Sequence, residues 1–355
     1  MTSNEKFNDF ELCKYGRSDT AVFWLLPVIK LSKKIWMHGC NITEKGCAVL
    51  SAVLPSISNL RELDLSHNNL QDSGVEILCN GLKRSHFDLK TFVRSLRSDD
   101  CDLNLNCVAL PTAGLQDTKC RLESLNLKRC GVTEACCVFL SSALSLNPSH
   151  LKVLDLSWNN IGDSGVKHLC AALEKVWCAL ETLKLSTCKI NAEGFESLAS
   201  ALQSNTQLRE LDLGNNRPGD QGVELLSAVL HDTNSRLKTL RLDKCGITEK
   251  GCTALASALS SKTSNLTDLD LSINDLRDSG VKKLCVGLQS PHCKLEKLRL
   301  SNCNVTHEGV TALTEALKSN PSHLKEIDLL ENDLEESDLN VISMILETSS
   351  EKHKH

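Results

Sequence analysis

The apolar positions of this chain recur with one spacing along most of its length. In the stretch that ends at Ile161, Leu151, Leu154 and Leu156 are followed by Asn159, so that the spacing is L-x-x-L-x-L-x-x-N-x-L. The same frame begins again at Leu60, Leu122, Leu180, Leu208, Leu237, Leu266, Leu295 and Leu324. Such internal repetition is typical of a chain in which each unit packs only on its neighbours.

An asparagine or a cysteine marks the end of each apolar frame. The markers are Cys40, Asn68, Cys101, Cys130, Asn159, Cys188, Asn216, Cys245, Asn274, Cys303 and Asn332, and from Cys101 onward they lie 28 or 29 residues apart. An asparagine here can donate to and accept from the backbone of neighbouring turns, and a cysteine can fill the same space with a weaker donor. The two types alternate from Asn159 to Asn332, so the predicted unit is a pair of repeats.

An apolar triplet with i, i+3, i+7 spacing begins seven residues after each marker, as in Val166, Leu169 and Leu173. This spacing places the three side chains on one face of a helix. Asp163 or Ser164, and Asp278 or Ser279, stand just before two such segments and are expected to act as N-caps. Each repeat is therefore predicted to be a strand, a turn and a helix. The L-x-x-L-x-L-x-x-N-x-L frame is that of leucine-rich repeats. We expect an α/β horseshoe solenoid of about 11 repeats, with a parallel inner sheet and outer helices.

Three regions of the chain are predicted. Residues 1–38 form an N-terminal capping helix and lead-in, residues 39–346 form the solenoid, and residues 347–355 form a polar tail. Within the solenoid, residues 83–121 are irregular, because Pro111 stands where a helix leucine is expected and Cys101 and Cys130 are consecutive cysteine markers.

The 18 cysteines and the net charge of −5 indicate which cellular compartment and which classes of partner to expect. The cysteines fall at fixed positions of the repeat, and no export signal opens the chain, so we expect reduced, buried thiols in a cytoplasmic protein. The apolar run Ala21–Ile29 contains Pro27 and is too short to span a membrane, so no membrane partner is predicted. The mild acidity disfavours nucleic acid as a partner.

The candidate binding surface is the outward-facing residue at the centre of each predicted strand, four residues before the marker. This column reads Trp36, Asp64, Arg97, Asn126, Asp155, Lys184, Asp212, Arg241, Asp270, Arg299 and Asp328. Acidic and basic residues alternate, and adjacent strands lie about 4.8 Å apart, so each aspartate is expected to lie within reach of a basic residue on both sides. The column is then either a self-neutralising ladder or a protein-binding stripe. The candidate protein-binding residues on this concave face are Asp155, Trp158, Lys184, Asp212, Arg241, Asp270 and Arg299. Trp158, one residue before its marker, is either an interface anchor or a cover over a gap.

Common nucleotide-binding, metal-binding and redox motifs are absent from the sequence. There is no G-x-x-x-x-G-K-[ST], G-x-G-x-x-G, H-E-x-x-H or C-x-x-C motif. We therefore predict no catalytic residue, no cofactor and no metal site, and the chain is not expected to be an enzyme.

The paired repeats resemble a known family. Residues 245–303, which begin CGITEKGCTALASAL, look like the C-terminal repeats of vertebrate NOD-like receptors, especially those of the large fish expansions, and residues 16–43 resemble the lead-in to their first repeat. These repeats are of the ribonuclease-inhibitor-like class. The resemblance implies a cytosolic innate-immune role in which the repeats sense a ligand or hold the receptor inactive. It also implies other proteins as partners, and a nucleotide-binding domain as a partner in a longer parent chain. Such a domain and a death-fold adaptor domain are not found in this sequence, so ATP-driven assembly is not carried over.

Two other functions are considered. A ribonuclease-inhibitor-type sequestering protein would favour many exposed acids and aromatic anchors, whereas the predicted column is charge-balanced and poor in aromatic residues. A GTPase-activating repeat protein would need a polar catalytic residue at one edge, and the sequence singles none out.

Overall fold

The computed structural model describes residues 9–53, 62–65, 68, 91–93, 124–126, 128–129, 133–134, 137–138, 140–141, 144, 152–232, 235–320 and 324–351. The chain forms two compact units. The first comprises Met1–Ile161 with Trp177–Leu180, and the second comprises Gly162–Val176 with Glu181–His355.

Each unit contains three-residue strands that pair in parallel and in chain order. The described strands of the first unit are β1 (Asp9–Glu11), β2 (Lys34–Trp36), β3 (Glu62–Asp64), β4 (Thr91–Val93), β5 (Ser124–Asn126) and β6 (Val153–Asp155). Those of the second unit are β7 (Thr182–Lys184), β8 (Glu210–Asp212), β9 (Thr239–Arg241), β10 (Asp268–Asp270), β11 (Lys297–Arg299) and β12 (Glu326–Asp328). In β7 to β11 the middle residue is a buried leucine, and the residues on either side of it face outward.

Helices lie between β1 and β3 and between β6 and β12, where the structure describes the connecting segments. The first unit contains α1 (Asp19–Trp24), α2 (Leu26–Ile29) and α3 (Glu44–Val53). The second contains α4 (Gly162–Leu173), α5 (Ala192–Ser204), α6 (Gly219–Leu230), α7 (Glu249–Leu259), α8 (Arg277–Leu288), α9 (His307–Ser319) and α10 (Glu336–Glu351). The predicted triplet Val166, Leu169 and Leu173 is buried, as are its counterparts in α5, α7 and α9. The parallel strands and connecting helices confirm the predicted α/β leucine-rich-repeat fold.

Asn216 shows how an asparagine marker holds neighbouring repeats. Its Nδ2 donates to the carbonyl oxygens of Leu185 at 2.9 Å and Leu213 at 2.8 Å, and its Oδ1 accepts from the amides of Cys188 at 3.0 Å and Ile190 at 3.1 Å. The same set of bonds is made by Asn274 and Asn332. The predicted role of the asparagine is confirmed.

The cysteine markers make a weaker version of this contact. The Sγ of Cys245 donates to the carbonyl of Leu213 at 3.3 Å, and that of Cys303 donates to the carbonyl of Leu271 at 3.2 Å. The described cysteines are free thiols, and all but Cys13 are buried. Their predicted place in the core of the repeats is confirmed.

The two kinds of repeat also turn differently. After a cysteine marker, the next residue has a left-handed backbone, as at Lys189, Gly246 and Asn304. After an asparagine marker, the left-handed residue comes three positions later, as at Gly162, Gly219 and Arg277. The alternation of markers therefore corresponds to two loop geometries, which makes the pair of repeats the structural unit.

The expected N-caps are wrong in one respect. Asp163 and Asp278 lie inside the first turns of α4 and α8, and each caps the following helix instead of its own. The Oδ1 of Asp278 accepts from the amides of Thr306 and Gly309, both at 2.9 Å, at the start of α9. Asp163 and Asp220 make the same contact to the start of the next helix, and Asp19 of α1 makes it to the start of α3. In the second unit, Asp163, Asp220 and Asp278 each join an asparagine-type repeat to the cysteine-type repeat after it.

The register predicted through the irregular repeat is wrong. Val93, not Arg97, aligns with Asp64 on one side and Asn126 on the other. Asp64 and Val93 are 29 positions apart, whereas Val93 and Asn126 are 33 apart, so the extra residues lie after β4. The side chain of Arg97 lies outside the described residues, as do Cys101, Pro111 and Cys130.

The ends of the chain carry elements beyond the predicted ones. Strand β1 precedes the first predicted repeat, and two short helices occupy the region of the expected capping helix. At the other end α10 continues through Glu351, past the predicted start of the polar tail, and residues 352–355 lie outside the described residues. No helix in the described part of the chain is long and apolar enough to cross a membrane.

Candidate functional site

The outward-facing side of β7 to β12 is the candidate site in the second unit. The third residue of β7 to β11 is Lys184, Asp212, Arg241, Asp270 and Arg299, in the order that the sequence predicts. All five side chains are partly exposed. We call the first and third residues of β7 to β12, together with Asp243, the inner face.

The ion pairs on the inner face differ from the predicted ladder. Nη1 of Arg241 lies 2.5 Å from Oε1 of Glu210, and Nη1 of Arg299 lies 2.7 Å from Oδ1 of Asp268. Lys184 approaches the same Glu210 carboxylate at 3.7 Å. Each arginine therefore pairs diagonally, with the first residue of the preceding strand. The ion pairs of the two arginines are therefore with carboxylates outside the column, although the charge of Asp212 in the column also raises the pKa of Arg241.

The aspartates of the column have a different contact. Oδ1 of Asp212 accepts from the amide of Gly214 at 3.1 Å, and Oδ1 of Asp270 accepts from the amide of Ser272 at 3.0 Å. These bonds close the turn that leaves each strand. A short aspartate side chain accepts from the backbone amide two residues on, which the longer glutamate does less well and an arginine, which has no acceptor, cannot do.

Glu210 and Arg241 each stabilise the charged form of the other. Burial by itself would raise the pKa of Glu210, but the hydrogen bond from Arg241 and the charges of Lys184 and Arg241 outweigh it and lower that pKa below its usual value. Burial would likewise lower the pKa of Arg241, and the Glu210 carboxylate raises it instead. Both groups are therefore ionised at neutral pH.

Asp243 has the opposite environment. Burial raises the pKa of this carboxyl group, and the charges of Asp270 and Asp212 raise it further. Asp243 stands two residues after Arg241, at a position that is Ser186, Gly214, Ser272 or Ser301 in other repeats. A Cβ on Gly214 would lie 2.2 Å from Oδ1 of Asp243, so the glycine makes room for this carboxylate. The predicted column did not include Asp243, although its departure from the Ser and Gly pattern is visible in the sequence.

With these residues included, the inner face is acidic. It contains seven carboxylates (Glu210, Asp212, Asp243, Asp268, Asp270, Glu326 and Asp328) and four cations (Lys184, Arg241, Lys297 and Arg299). The balance expected from the central column therefore does not hold for the whole inner face of the second unit. The excess of negative charge favours a basic partner.

In the first unit, Asp155 and Trp158 lie at and just after β6. Oδ1 of Asp155 accepts from the amide of Ser157 at 2.9 Å. The Trp158 side chain is 48% exposed, and the guanidinium of Arg129 lies 5.1 Å from its ring centroid. A cation over the ring stabilises this exposed orientation. Trp158 is therefore accessible to a partner, and it also has a structural contact.

Metal ligands and reactive thiols were the other features to look for among the described residues. No group of three or more His, Cys, Asp or Glu side chains among them could hold a metal ion. Burial raises the pKa of the Cys245 and Cys252 thiols to about 12, so both are protonated and weakly nucleophilic at neutral pH.

Known proteins show similar repeats. A family model described as the PRAME C-terminal domain matches residues 168–315, and a leucine-rich-repeat model matches residues 56–79 and 147–170. The chain is 34% identical to the pig (Sus scrofa) ribonuclease inhibitor over 232 residues, which are 58% of this chain and 50% of that protein. It is 35% identical to the cattle (Bos taurus) NACHT, LRR and PYD domains-containing protein 3 over 222 residues, which are 56% of this chain and 21% of that protein. The solved structure of an internalin from Listeria monocytogenes aligns with 89% of this chain and 80% of its own, at 18% identity and a TM-score of 0.48.

The chain thus spans about half the length of the ribonuclease inhibitor and about a fifth of the NACHT-containing protein. The chain has the leucine-rich-repeat fold, and its repeats are similar to those of ribonuclease inhibitors and of NACHT, LRR and PYD domains-containing proteins.

Proposed function

We propose that this chain is a non-catalytic protein-interaction module that binds a basic protein surface on the inner face of its second unit. Lys184, Asp212, Arg241, Asp270 and Arg299 line this face. Asp155 and Trp158 of the first unit are candidate contacts in their own right. By the similarity to NOD-like receptors, the module senses a ligand or holds a receptor inactive in the cytoplasm, as part of a longer receptor or as a free-standing relative.

The observation that carries this proposal is the acid excess of the inner face on a rigid support. Seven carboxylates stand against four cations, and Asp243 in particular has like charges beside it. Each strand under these side chains is fixed by asparagine-marker bonds of 2.7–3.1 Å. Preorganised side chains lose less entropy when a partner binds, so such a face supports specific binding.

The test compares two double variants that change the net charge equally. One carries Asp243→Lys and Asp270→Lys on the inner face, and the control carries Glu196→Lys and Glu224→Lys on the exposed outer sides of α5 and α6. Proteins captured by the immobilised chain are quantified by mass spectrometry, after circular dichroism has shown that each variant is folded. We expect basic partners to fall at least tenfold with the inner-face variant and to persist with the control. Equal capture by the two variants would refute binding at this face.

The parent protein is tested by the size of the endogenous product, detected with an antibody against the repeats. A band near 39.0 kDa indicates a free-standing module. A much larger band indicates the repeat region of a receptor, and a nucleotide-binding domain then becomes a partner in the same chain.

The second candidate function is sequestration of a ribonuclease. The similarity to the pig ribonuclease inhibitor and the acid excess of the inner face favour it, because pancreatic-type ribonucleases are basic. The full chain is titrated against such a ribonuclease and RNA cleavage is followed. Inhibition that disappears in the Asp243→Lys, Asp270→Lys variant supports sequestration, and full cleavage at micromolar chain rejects it.

A further inference from the structure

Three loops of the second unit, which follow β7, β8 and β9, each carry one exposed cation. These cations are Lys189, Arg217 and Lys244, and we call them the basic rim. Among the residues that the structure describes, none of the three side chains has an ion-pair or hydrogen-bond partner. Their charges are therefore available to a ligand.

The three loops are held side by side. The amide of Arg217 donates to the carbonyl of Ile190 at 2.8 Å, and Nδ2 of Asn215 donates to Oγ1 of Thr187 at 2.9 Å. The amide of Asn215 also donates to the carbonyl of Asp243, in the loop after β9, at 2.6 Å. Adjacent strands lie about 4.8 Å apart, so the three repeats span roughly 10 Å. The basic rim is therefore one continuous surface.

Charges on these loops are segregated, whereas those of the central column alternate. Along the second unit, the residue after each marker is Lys189, Arg217, Gly246, Asp275, Asn304 and Asp333. Like charges thus lie on adjacent loops at Lys189 and Arg217, which is unfavourable. Asp275, in contrast, has a local partner, because Nη2 of Arg277 lies 2.8 Å from its Oδ2. The basic rim does not neutralise itself as an alternating column does.

The backbone at Lys189 adds a second cost. Its φ is 59°, in the left-handed region that is unfavourable for a residue with a Cβ. The next cysteine-type repeat has Gly246 at the same position, with a φ of 70°. Lys189 therefore costs the fold both electrostatic and backbone energy, and no contact of its side chain offsets this. Residues of this kind cluster at binding sites.

The surroundings of the basic rim indicate which anion fits. Residues 187–191, 215–219 and 244–248 contain no carboxylate and no aromatic side chain. A nucleic-acid base would find no ring there on which to stack. The carboxylates of the inner face begin at Asp243, directly before Lys244, so they would repel a long polyanion. A short segment with a few carboxylates avoids this repulsion and pairs well with lysine and arginine.

We propose that the basic rim binds a short acidic segment of a partner protein, in an extended conformation and with carboxylates at alternate positions. Alternate residues of an extended segment point the same way, and three of them span about 13 Å, close to the span of the three repeats. Flexible lysine and arginine side chains take up the difference. The basic rim lies beside the inner face but takes the opposite charge, so this inference does not rest on the proposed function.

Two labelled peptides of equal length test the preference for acid. One is GSESESESG, and the other is GSQSQSQSG, which keeps the spacing and removes the charge. Binding to the full chain is measured by fluorescence anisotropy at low ionic strength, where screening is weak. We expect the acidic peptide to bind saturably and at least tenfold more tightly than the glutamine peptide. The proposal is overturned if the acidic peptide does not bind or if the two peptides bind equally.

Two triple variants locate the site, after circular dichroism has shown that each is folded. The rim variant is Lys189→Asn, Arg217→Gln, Lys244→Gln. The control variant, which removes three exposed cations from other surfaces of the second unit, is Lys250→Gln, Lys262→Gln, Lys283→Gln. The rim variant should bind the acidic peptide at least tenfold more weakly, and the control should stay within twofold of the unchanged chain. Equal loss from the two variants would mean that only net charge matters and would refute a site at the basic rim.

Other occupants give different results with the same variants. A single-stranded oligonucleotide that binds more tightly than the acidic peptide, and is lost from the rim variant, would contradict a protein segment as the ligand. A mass in light scattering that grows with concentration, except in the rim variant, would assign the basic rim to a second copy of this chain and would also overturn the proposal. The inner-face variant Asp243→Lys, Asp270→Lys should keep the acidic peptide, so its loss of basic partners bears only on the proposed function.

Discussion

The carboxylate of Asp220 is expected to stabilise α7, although it belongs to α6. Its Oδ1 accepts from the amides of Thr248 at 2.8 Å and Gly251 at 2.9 Å, and its Oδ2 accepts from the Thr248 hydroxyl at 2.6 Å. The first-turn amides of a helix have no partner within the helix itself. Asp220→Ala therefore leaves two amides to water, that of the N-cap residue Thr248 and that of Gly251 in the first turn of α7.

The expected cost follows from the kind of bond that is lost. Removing an N-cap side chain costs about 0.5–2 kcal/mol. A negative charge at a helix N-terminus adds about 0.3–1 kcal/mol. The site is solvent-accessible, so water replaces part of the lost bonding, and we expect a loss of about 2 kcal/mol in the free energy of unfolding. Asp220→Asn keeps one acceptor oxygen and should lose about half as much.

Gly251 gives an independent check of the same contact. A Cβ at this position would lie 2.7 Å from Oδ1 of Asp220 and 2.7 Å from Cγ2 of Ile247. Gly251→Ala should therefore be destabilising in the unchanged chain. Gly251→Ala should be less destabilising in the Asp220→Ala background, because the close contact with Oδ1 of Asp220 is then removed. The difference between the two backgrounds measures the coupling of Asp220 to the start of α7.

The assay combines urea unfolding, followed by circular dichroism, with hydrogen exchange of peptides that cover α7. Local exchange is needed because a repeat chain with two compact units need not unfold in one step. The matched control is Glu224→Ala, which removes an exposed carboxylate from the same helix α6. The reasoning is refuted if Asp220→Ala and Glu224→Ala have equal unfolding midpoints and equal protection of α7.

Three further outcomes are expected. Ile273 has a φ of 59°, which is unfavourable for a β-branched side chain. Ile273→Asn should therefore raise the free energy of unfolding, measured by urea titration, by about 1 kcal/mol. A free energy of unfolding below that of the unchanged chain would count against strain at this position. The raised pKa of Asp243 means that its charged form costs stability above its folded pKa. Asp243→Asn should therefore be more stable than the unchanged chain at pH 7, as measured by thermal unfolding midpoints. This gain in stability should shrink as the pH falls through the folded pKa of Asp243 towards 3.8. A gain in stability that is independent of pH would contradict this. Among the described cysteines, Cys13 is the most exposed, so native-state alkylation mapped by mass spectrometry should modify it before Cys245, and equal rates would contradict the burial shown here.

Local spacing alone was enough to predict the repeated core. The i, i+3, i+7 triplets and the apolar strand frame place the same side chains inward in every regular repeat, because helix and strand periodicities fix which residues share a face. The markers were predictable for the same reason, since only a small or amide side chain suits the turn that leaves the strand. Asn216 and Cys245 make the bonds expected of them.

In the irregular repeat, the periodicity of the sequence no longer predicts the register of the strand. Counting back from Cys101 placed Arg97 on the central column, whereas the paired strand is Thr91–Val93. The sequence by itself is equally compatible with an insertion before the strand and one after it. Only hydrogen-bond pairing with β3 and β5 decides between the two.

Contacts between repeats were decided by the tertiary structure. The sequence predicts that Asp278 is near a helix N-terminus, but the distance to Thr306 and Gly309 depends on how α8 stacks on α9. In the same way, the sequence predicts alternating charge along the inner face, while the rotamer and reach of Arg241 decide that it pairs with Glu210. The sequence by itself determined which residues are inward, outward or at a turn, because those follow from backbone periodicity. Which outward residues meet was left to the stacking of the repeats, because that depends on distances between segments about 28 residues apart.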